Sequence, residues 1–309
     1  MRTIKQFKRA SVILAGALAF YSCNSSGNKG TGYDSPTQGS INISVDESFE
    51  PVISEQIKVY ESSYPGTKIN ATYKSEADCF RDLQQDSTRM IIVAKGLTEE
   101  ERKFYVDKLS FPPQYDIVAY DAVSVIINKD GTDSIFTFQQ LQNMLNGKDS
   151  SKTIVVDGNN ATSTVRFLLD SVLRGKSFSS KVMAAKGSKA VVDYVSNNSN
   201  ALGFVGSSWV TNEQDPEQLA YRDKIRFALL ECRKNCDSGS FAKPSQATIT
   251  YSQYPLVRPL YYILKENANG LGTGFTNYLN LERGQLVFRR SFLVPGKMIF
   301  DLRKSNITQ

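Results

Sequence analysis

Histidine is missing from all 309 residues. Its absence excludes His-based acid–base catalysis, Ser-His-Asp and Cys-His nucleophiles, and His-ligated zinc. Cysteine is scarce: Cys23, Cys79, Cys232 and Cys236 are the whole set. The run Cys232-Arg-Lys-Asn-Cys236 can close a small disulfide loop in an oxidising compartment, with two-thiol metal binding as the alternative at that spacing. Cys79 reads as a small buried hydrophobe. The sequence has no Walker loop, no G-x-S-x-G elbow and no G-x-G-x-x-G after a strand. Gly270-Leu-Gly272-Thr-Gly274 follows Glu266-Asn267-Ala268 and reads as a turn or a close-packed helix segment. No dense Lys/Arg run carries interleaved aromatics, so nucleic acid is not an expected partner. Neither an enzyme activity, a metal nor a cofactor is expected.

What is present starts with targeting. Arg2, Lys5, Lys8 and Arg9 precede an apolar and small-residue run from Ser11 to Phe20, then Tyr21-Ser22-Cys23. These are the parts of a secretory signal, and the run is too short to span a bilayer as a mature helix. Cysteine at the cut resembles the lipobox of bacterial lipoproteins, which implies a lipid anchor on Cys23; a plain signal peptide containing a cysteine is the alternative. Without residues 1–22 the chain has 287 residues, and its net charge falls from +6 to about +2. The basicity is therefore mostly targeting. Residues 23–40 read as a flexible tether of Gly, Ser, Asn, Thr and Gln, with a reach of roughly 20–25 Å. The expected location is the bacterial cell envelope, lipid-anchored and facing the periplasm or the exterior.

Order begins at Ile41-Asn-Ile43-Ser-Val45, an alternating strand, followed by helical spacing from Phe49 to Tyr60. The pattern repeats: a strand at 68–73, a helix at 75–83, an apolar strand at 89–94, and a helix opened by Thr98-Glu-Glu-Glu101. Such alternation predicts an α/β fold with a parallel sheet. Residues 115–128 form one long β-rich run, long enough to serve two units in succession. Helices are expected at 137–145, 162–173 and 188–195, with strands at 153–156 and 202–206. Residues 211–222 and 232–248 read as polar and irregular. A second extended run, 257–264, precedes helices near 267–280 and 282–290. Two long crossing segments predict two lobes, 41–120 plus 257–309 and 121–256, joined at a hinge with a cleft between them.

Four stretches in this order resemble a known family: Tyr120–Asn128, Leu141–Gly147, Ala201–Gly206 and Tyr254–Tyr261. Over residues 40 to about 300 the chain is similar to the type II periplasmic solute-binding proteins, and within them to the phosphate-binding component of bacterial phosphate ABC importers. The resemblance implies a two-lobed fold with hinge strands and an interlobe cleft. It implies a monomer that binds phosphate or another small oxyanion and hands it to an ABC permease. In that family the anion is held by uncharged donors, backbone N–H groups at helix starts and Ser/Thr hydroxyls, which suit a partly protonated oxyanion.

Three corners occupy the matching places: Asp46-Glu47-Ser48, Lys74-Ser75-Glu76, and Asn160-Ala161-Thr162-Ser163-Thr164 with Arg166 behind it. The resemblance thus implies Ser48, Ser75, Asn160, Thr162, Ser163, Thr164 and Arg166 as ligand-binding residues. Lys95 stands about where the family carries an acceptor aspartate, and would supply a cation there. Arg258 is a further candidate cation, read as structural when taken alone. Asp46 and Glu47 place acidic groups beside the expected anion site. If Asp46, Glu47 and Glu76 face the cleft, the alternative is a sensor or assembly lipoprotein on the same fold. A phosphoesterase is the third reading, and it lacks a recognisable nucleophile or metal-ligand set.

Overall fold

The computed structural model describes residues 34–158 and 161–298. The expected signal peptide, Cys23, the tether up to residue 33, and Asn160 lie outside these. The described chain opens with β1 (Gly39–Asp46), a single 3-10 turn (Glu47–Phe49) and α1 (Glu50–Ser63). Pro51 sits in the first turn of α1, where its missing N–H has no helical partner to lose. There follow β2 (Thr67–Lys74), α2 (Glu76–Leu83), β3 (Met90–Val93) and α3 (Glu99–Leu109). Thr98 and Glu101 form a reciprocal capping box at α3, as the sequence predicts. β1 pairs in parallel with both β2 and β3.

β4 (Gln114–Asn128) is one unbroken strand of 15 residues. Beyond it come β5 (Ile135–Phe136), α4 (Phe138–Leu145), β6 (Thr153–Val156), α5 (Ser163–Phe167), β7 (Met183–Ala184), α6 (Gly187–Asn197) and β8 (Ala201–Gly206). The remainder is α7 (Pro216–Arg222), β9 (Ile225–Phe227), β10 (Leu229–Glu231), β11 (Phe241–Ala242), α8 (Gln246–Thr250), β12 (Val257–Leu264), α9 (Leu271–Asn280), α10 (Glu282–Arg290) and β13 (Val294–Pro295). The main sheet runs β2-β1-β3-β12-β4-β8-β6-β7, with β9 and β13 also pairing β4. β12 lies antiparallel between β3 and β4, and its register against β4 shifts between Leu260 and Tyr261.

The fold is α/β with two lobes, each with its own core. Ile43, Phe49, Ile53, Tyr60, Leu260 and Phe275 belong to one, and Val125, Leu145, Leu168, Phe204 and Tyr254 to the other. β4 gives Val118 and Ala119 to the first and Ala122, Val123 and Val125 to the second, so a single strand serves both. Cys79 is buried beside Leu83 and Ile91, and burial pushes its thiol pKa up. Cys232 and Cys236 are joined by a disulfide. Among the described residues no helix is long and apolar enough to cross a membrane.

Four local expectations differ. Residues 216–222, read as irregular, form α7, because Asp215 caps two free N–H groups and Pro216 presets the first turn. The stretch read as irregular at 232–248 holds β11 and the start of α8, elements too short to show periodicity. The helix expected over 162–173 becomes a π turn at Leu168–Val172. The helix expected from 267 starts at Leu271, since the Glu266 carboxylate accepts from Gly270, Gly272 and Thr273 N–H and fixes the preceding turn.

Gly203 explains part of the Ala201–Gly206 stretch. A Cβ there would stand 2.7 Å from Val191 and 2.8 Å from Val195, so α6 rests directly on the strand backbone. Gly203→Val should destabilise the fold by roughly 1–3 kcal/mol or more through overpacking. A lowered midpoint in urea with an unchanged slope would record it.

Candidate functional site

Two of the three expected corners meet through their hydroxyls. Asp46 ends β1, and its carboxylate accepts from Ser48 N–H at 3.0 Å, which fixes the 3-10 turn and turns Ser48 inward. Ser48 Oγ lies 3.4 Å from Ser163 Oγ, 3.3 Å from Thr164 Oγ1 and 3.4 Å from Asp157 Oδ2. Thr162 caps α5 and donates to Asp157 Oδ1 at 2.7 Å. Gly206 permits the approach: a Cβ there would be 2.7 Å from Ser48 O and 3.1 Å from Arg258 Nη2.

Arg258 is the cation at the centre. It enters from β12 directly opposite Asp121 on β4 and is almost wholly buried. Its Nε donates to Asp121 Oδ2 at 3.0 Å, and its Nη1 to Ser163 Oγ at 2.8 Å and Thr164 Oγ1 at 3.3 Å. Its Nη2 lies 3.0 Å from Asp121 Oδ2 but outside hydrogen-bonding alignment, and has no other partner among the described residues. The guanidinium also stands 4.7 Å over the Phe49 ring.

Around this one cation stand the fully buried carboxyls of Asp46, Asp121 and Asp157. Desolvation raises the pKa of all three, and Arg258 only partly opposes it. Asp46 is pushed up to about 7, first by burial and then by the charge of Glu76. Its Oδ2 has no hydrogen-bond partner among the described residues. Glu47 is also pushed up to about 7, by burial and by Asp157. The cluster therefore combines hydroxyls, a guanidinium Nη2 without an aligned acceptor, and buried carboxyls of which Asp46 and Glu47 are raised to about 7. Such a set can both donate to and accept from a polyoxygen anion.

Not every expected residue joins it. Ser75 caps α2, and its hydroxyl turns onto Asp78 at 2.6 Å. Arg166 reaches across to Glu76, while Ala77 N–H donates to Ala161 O at 3.0 Å, so the second corner meets the third by an ion pair and a backbone bond. Lys95 is engaged on its own side of the sheet-to-helix turn. Its ammonium pairs with Glu101 at 3.2 Å and lies 4.4 Å over the Phe80 ring, because the α3 capping box brings a carboxylate within reach. Sequence reasoning passes over Asp121, Asp157 and Ser207, whose N–H donates to Asp121 Oδ1 at 3.1 Å. The signal for Asp121 and Arg258 was there: each is a charge inside an otherwise apolar crossing strand.

The model of the PBP superfamily domain matches residues 32–282. The chain belongs to the PBP superfamily. Membership agrees with the two-lobed periplasmic-binding-protein fold expected from sequence. Among curated proteins, the phosphate-binding protein PstS of Staphylococcus epidermidis is 20% identical, covering 96% of this chain and 91% of that protein. PstS of Pseudomonas aeruginosa is 20% identical over 76% of each. The fold is also that of a protein from Clostridium perfringens described as a phosphate ABC transporter substrate-binding protein with bound phosphate. That match has a TM-score of 0.68 and 17% identity, and covers 83% of this chain and 99% of that one.

Asp46 and Glu47 make a pH dependence. Their ordinary values are 3.8 and 4.5, and both are raised to about 7. The folded protein thus binds more protons than the unfolded chain between those values, and stability falls as pH rises through about 7. The ligand-free protein should melt roughly 5 °C higher at pH 5 than at pH 8 in scanning calorimetry. Asp46→Asn should flatten a large part of that difference.

Proposed function

We propose that this PBP-superfamily protein captures phosphate or a related oxyanion between its lobes and presents it to an ABC permease, without catalysing a reaction. The two lobes are residues 41–120 with 257–309, and 121–256. The protein acts outside the cytoplasm as a monomer, tethered to the membrane through lipid on Cys23. The observation that carries the reading is the convergence of Ser48, Ser163 and Thr164 on the buried Arg258 guanidinium. The kinship with phosphate-binding proteins supports the choice of ligand. Thr162 positions this group through Asp157, and Asn160 borders it in sequence. Ser75 and Arg166 shape the rim, and Lys95 is held in an ion pair with Glu101.

Phosphate between pH 6 and 8 carries one or two protons. The buried carboxyls of Asp46 and Asp157 can accept from a P–OH or, when protonated, donate to a P–O oxygen. The acidic surroundings therefore favour a protonated oxyanion over a fully ionised one. Titration calorimetry with inorganic phosphate should give one site per chain. Ser163→Ala should weaken binding about tenfold, the worth of one or two lost hydrogen bonds to a charged guest.

A second reading is favoured by one observation: two acidic side chains of these corners make contacts far along the chain, Glu47 accepting from Ser188 N–H at 2.7 Å and Glu76 pairing with Arg166. In it the protein is a sensor or assembly lipoprotein whose altered cleft takes no anion. Folded protein that binds no phosphate at millimolar concentration would replace the first reading with this one. Anchoring has its own test: Cys23→Ser should move the protein from the membrane fraction to the soluble fraction.

A further inference from the structure

Asp46 differs from the other buried carboxyls of the centre in how little holds its charge. Asp121 accepts from Arg258 Nε–H at 3.0 Å and from Ser207 N–H at 3.1 Å. Asp157 accepts from the hydroxyls of Thr162 at 2.7 Å and Ser48 at 3.4 Å, one on each oxygen. Asp46 accepts at Oδ1 from Ser48 N–H, while its Oδ2 has no donor among the described residues and the side chain is fully buried. The groups that face it are Glu76 and Cys79 on α2, Glu47 beside it in the chain, Arg258 on β12 and the Ser163 hydroxyl on α5. Of these only Arg258 is a cation, and Asp121 already shares it. Glu76 repels Asp46, although Arg166 pairs with it. Burial and that repulsion raise Asp46 to about 7, so its proton exchanges in the neutral range.

We propose that the site takes its oxyanion together with one proton from the solvent, and that Asp46 Oδ2 is where this proton is held. The proposal rests on the solute-binding reading and adds a second, coupled ligand to it. Ser48 joins the two events: its N–H holds Asp46 Oδ1, and its hydroxyl is one of the donors gathered around Arg258. A guest held there brings negative charge close to the Asp46 carboxylate, where little water is present to screen it. Neutralising Asp46 removes that repulsion and turns Oδ2 from an acceptor into a donor for a guest oxygen. The coupling is reciprocal: the proton tightens the anion, and the anion tightens the proton. Glu47 is the rival carrier, also raised to about 7, but both of its oxygens already accept from Ser188.

Titration calorimetry with inorganic phosphate, repeated in buffers of different ionisation enthalpy, counts the protons taken up on binding. Asp46→Asn keeps the oxygen that Ser48 N–H needs and cannot ionise. At pH 8 the wild-type chain should take up about one proton per phosphate more than this variant. Phosphate's own titration is common to both chains, so the affinity of wild type relative to Asp46→Asn should fall about tenfold from pH 6 to pH 8. Equal uptake by the two chains, or a ratio that stays level, overturns the proposal and leaves phosphate capture in place. Loss of the uptake in Glu47→Gln but not in Asp46→Asn overturns it as well. Wild-type binding at pH 8 with no proton taken up overturns it whether or not either variant folds. A wild-type chain that binds no phosphate at either pH removes both the proposal and the transport reading.

Discussion

One buried guanidinium facing three buried carboxyls is the constraint on which the centre of this molecule depends. Arg258 and Asp121 leave adjacent positions on β12 and β4, so the ion pair is built into the strand register itself. Neither partner could be buried alone, since an isolated charge in that setting costs several kcal/mol. The remaining N–H groups of Arg258 then draw in Ser163 and Thr164, and those hydroxyls bring Ser48 to the same place. Burial raises the pKa of each of these carboxyls, which lessens the cost of crowding them around a single cation.

Capping chemistry decides where the polar residues point. Thr98 and Glu101 satisfy each other at α3, and that local bond leaves Glu101 beside Lys95, which it pairs at 3.2 Å. Ser75 is likewise spent on its own helix. Thr162 also caps a helix, yet its hydroxyl simultaneously donates to Asp157, which stiffens the corner behind Ser163 and Thr164. The same residue types in the same kind of corner thus end in different roles. A carboxylate three residues on, or one across the cleft, makes the difference.

Much of the fold was legible because its signals are long or periodic. β4, β12, α1 and α6 each carry enough apolar residues in register for the period to show. Elements such as α7 and α8 carry only one or two turns, and there a cap such as Asp215 counts for more than periodicity. The centre was legible in part. Hydroxyls at residues 162–164 and Ser48 could be placed by their corners, whereas Lys95 could not, because its partner is chosen by the fold of α3. Glu47 was visible as an acidic oddity, but its seat on Ser188 joins residues far apart in sequence, and no local pattern announces such a contact. Arg258 and Asp121 could be seen as charges in apolar strands; that they face each other depends on register.

The place of β12 has a consequence for how the chain comes to be folded. It fills the gap between β3 and β4, so the sheet that holds the first hundred or so residues stays incomplete until residues 257–264 have been delivered. A growing polypeptide therefore cannot finish this first half early, and β1 to β3 wait for their last neighbour while most of the length is synthesised.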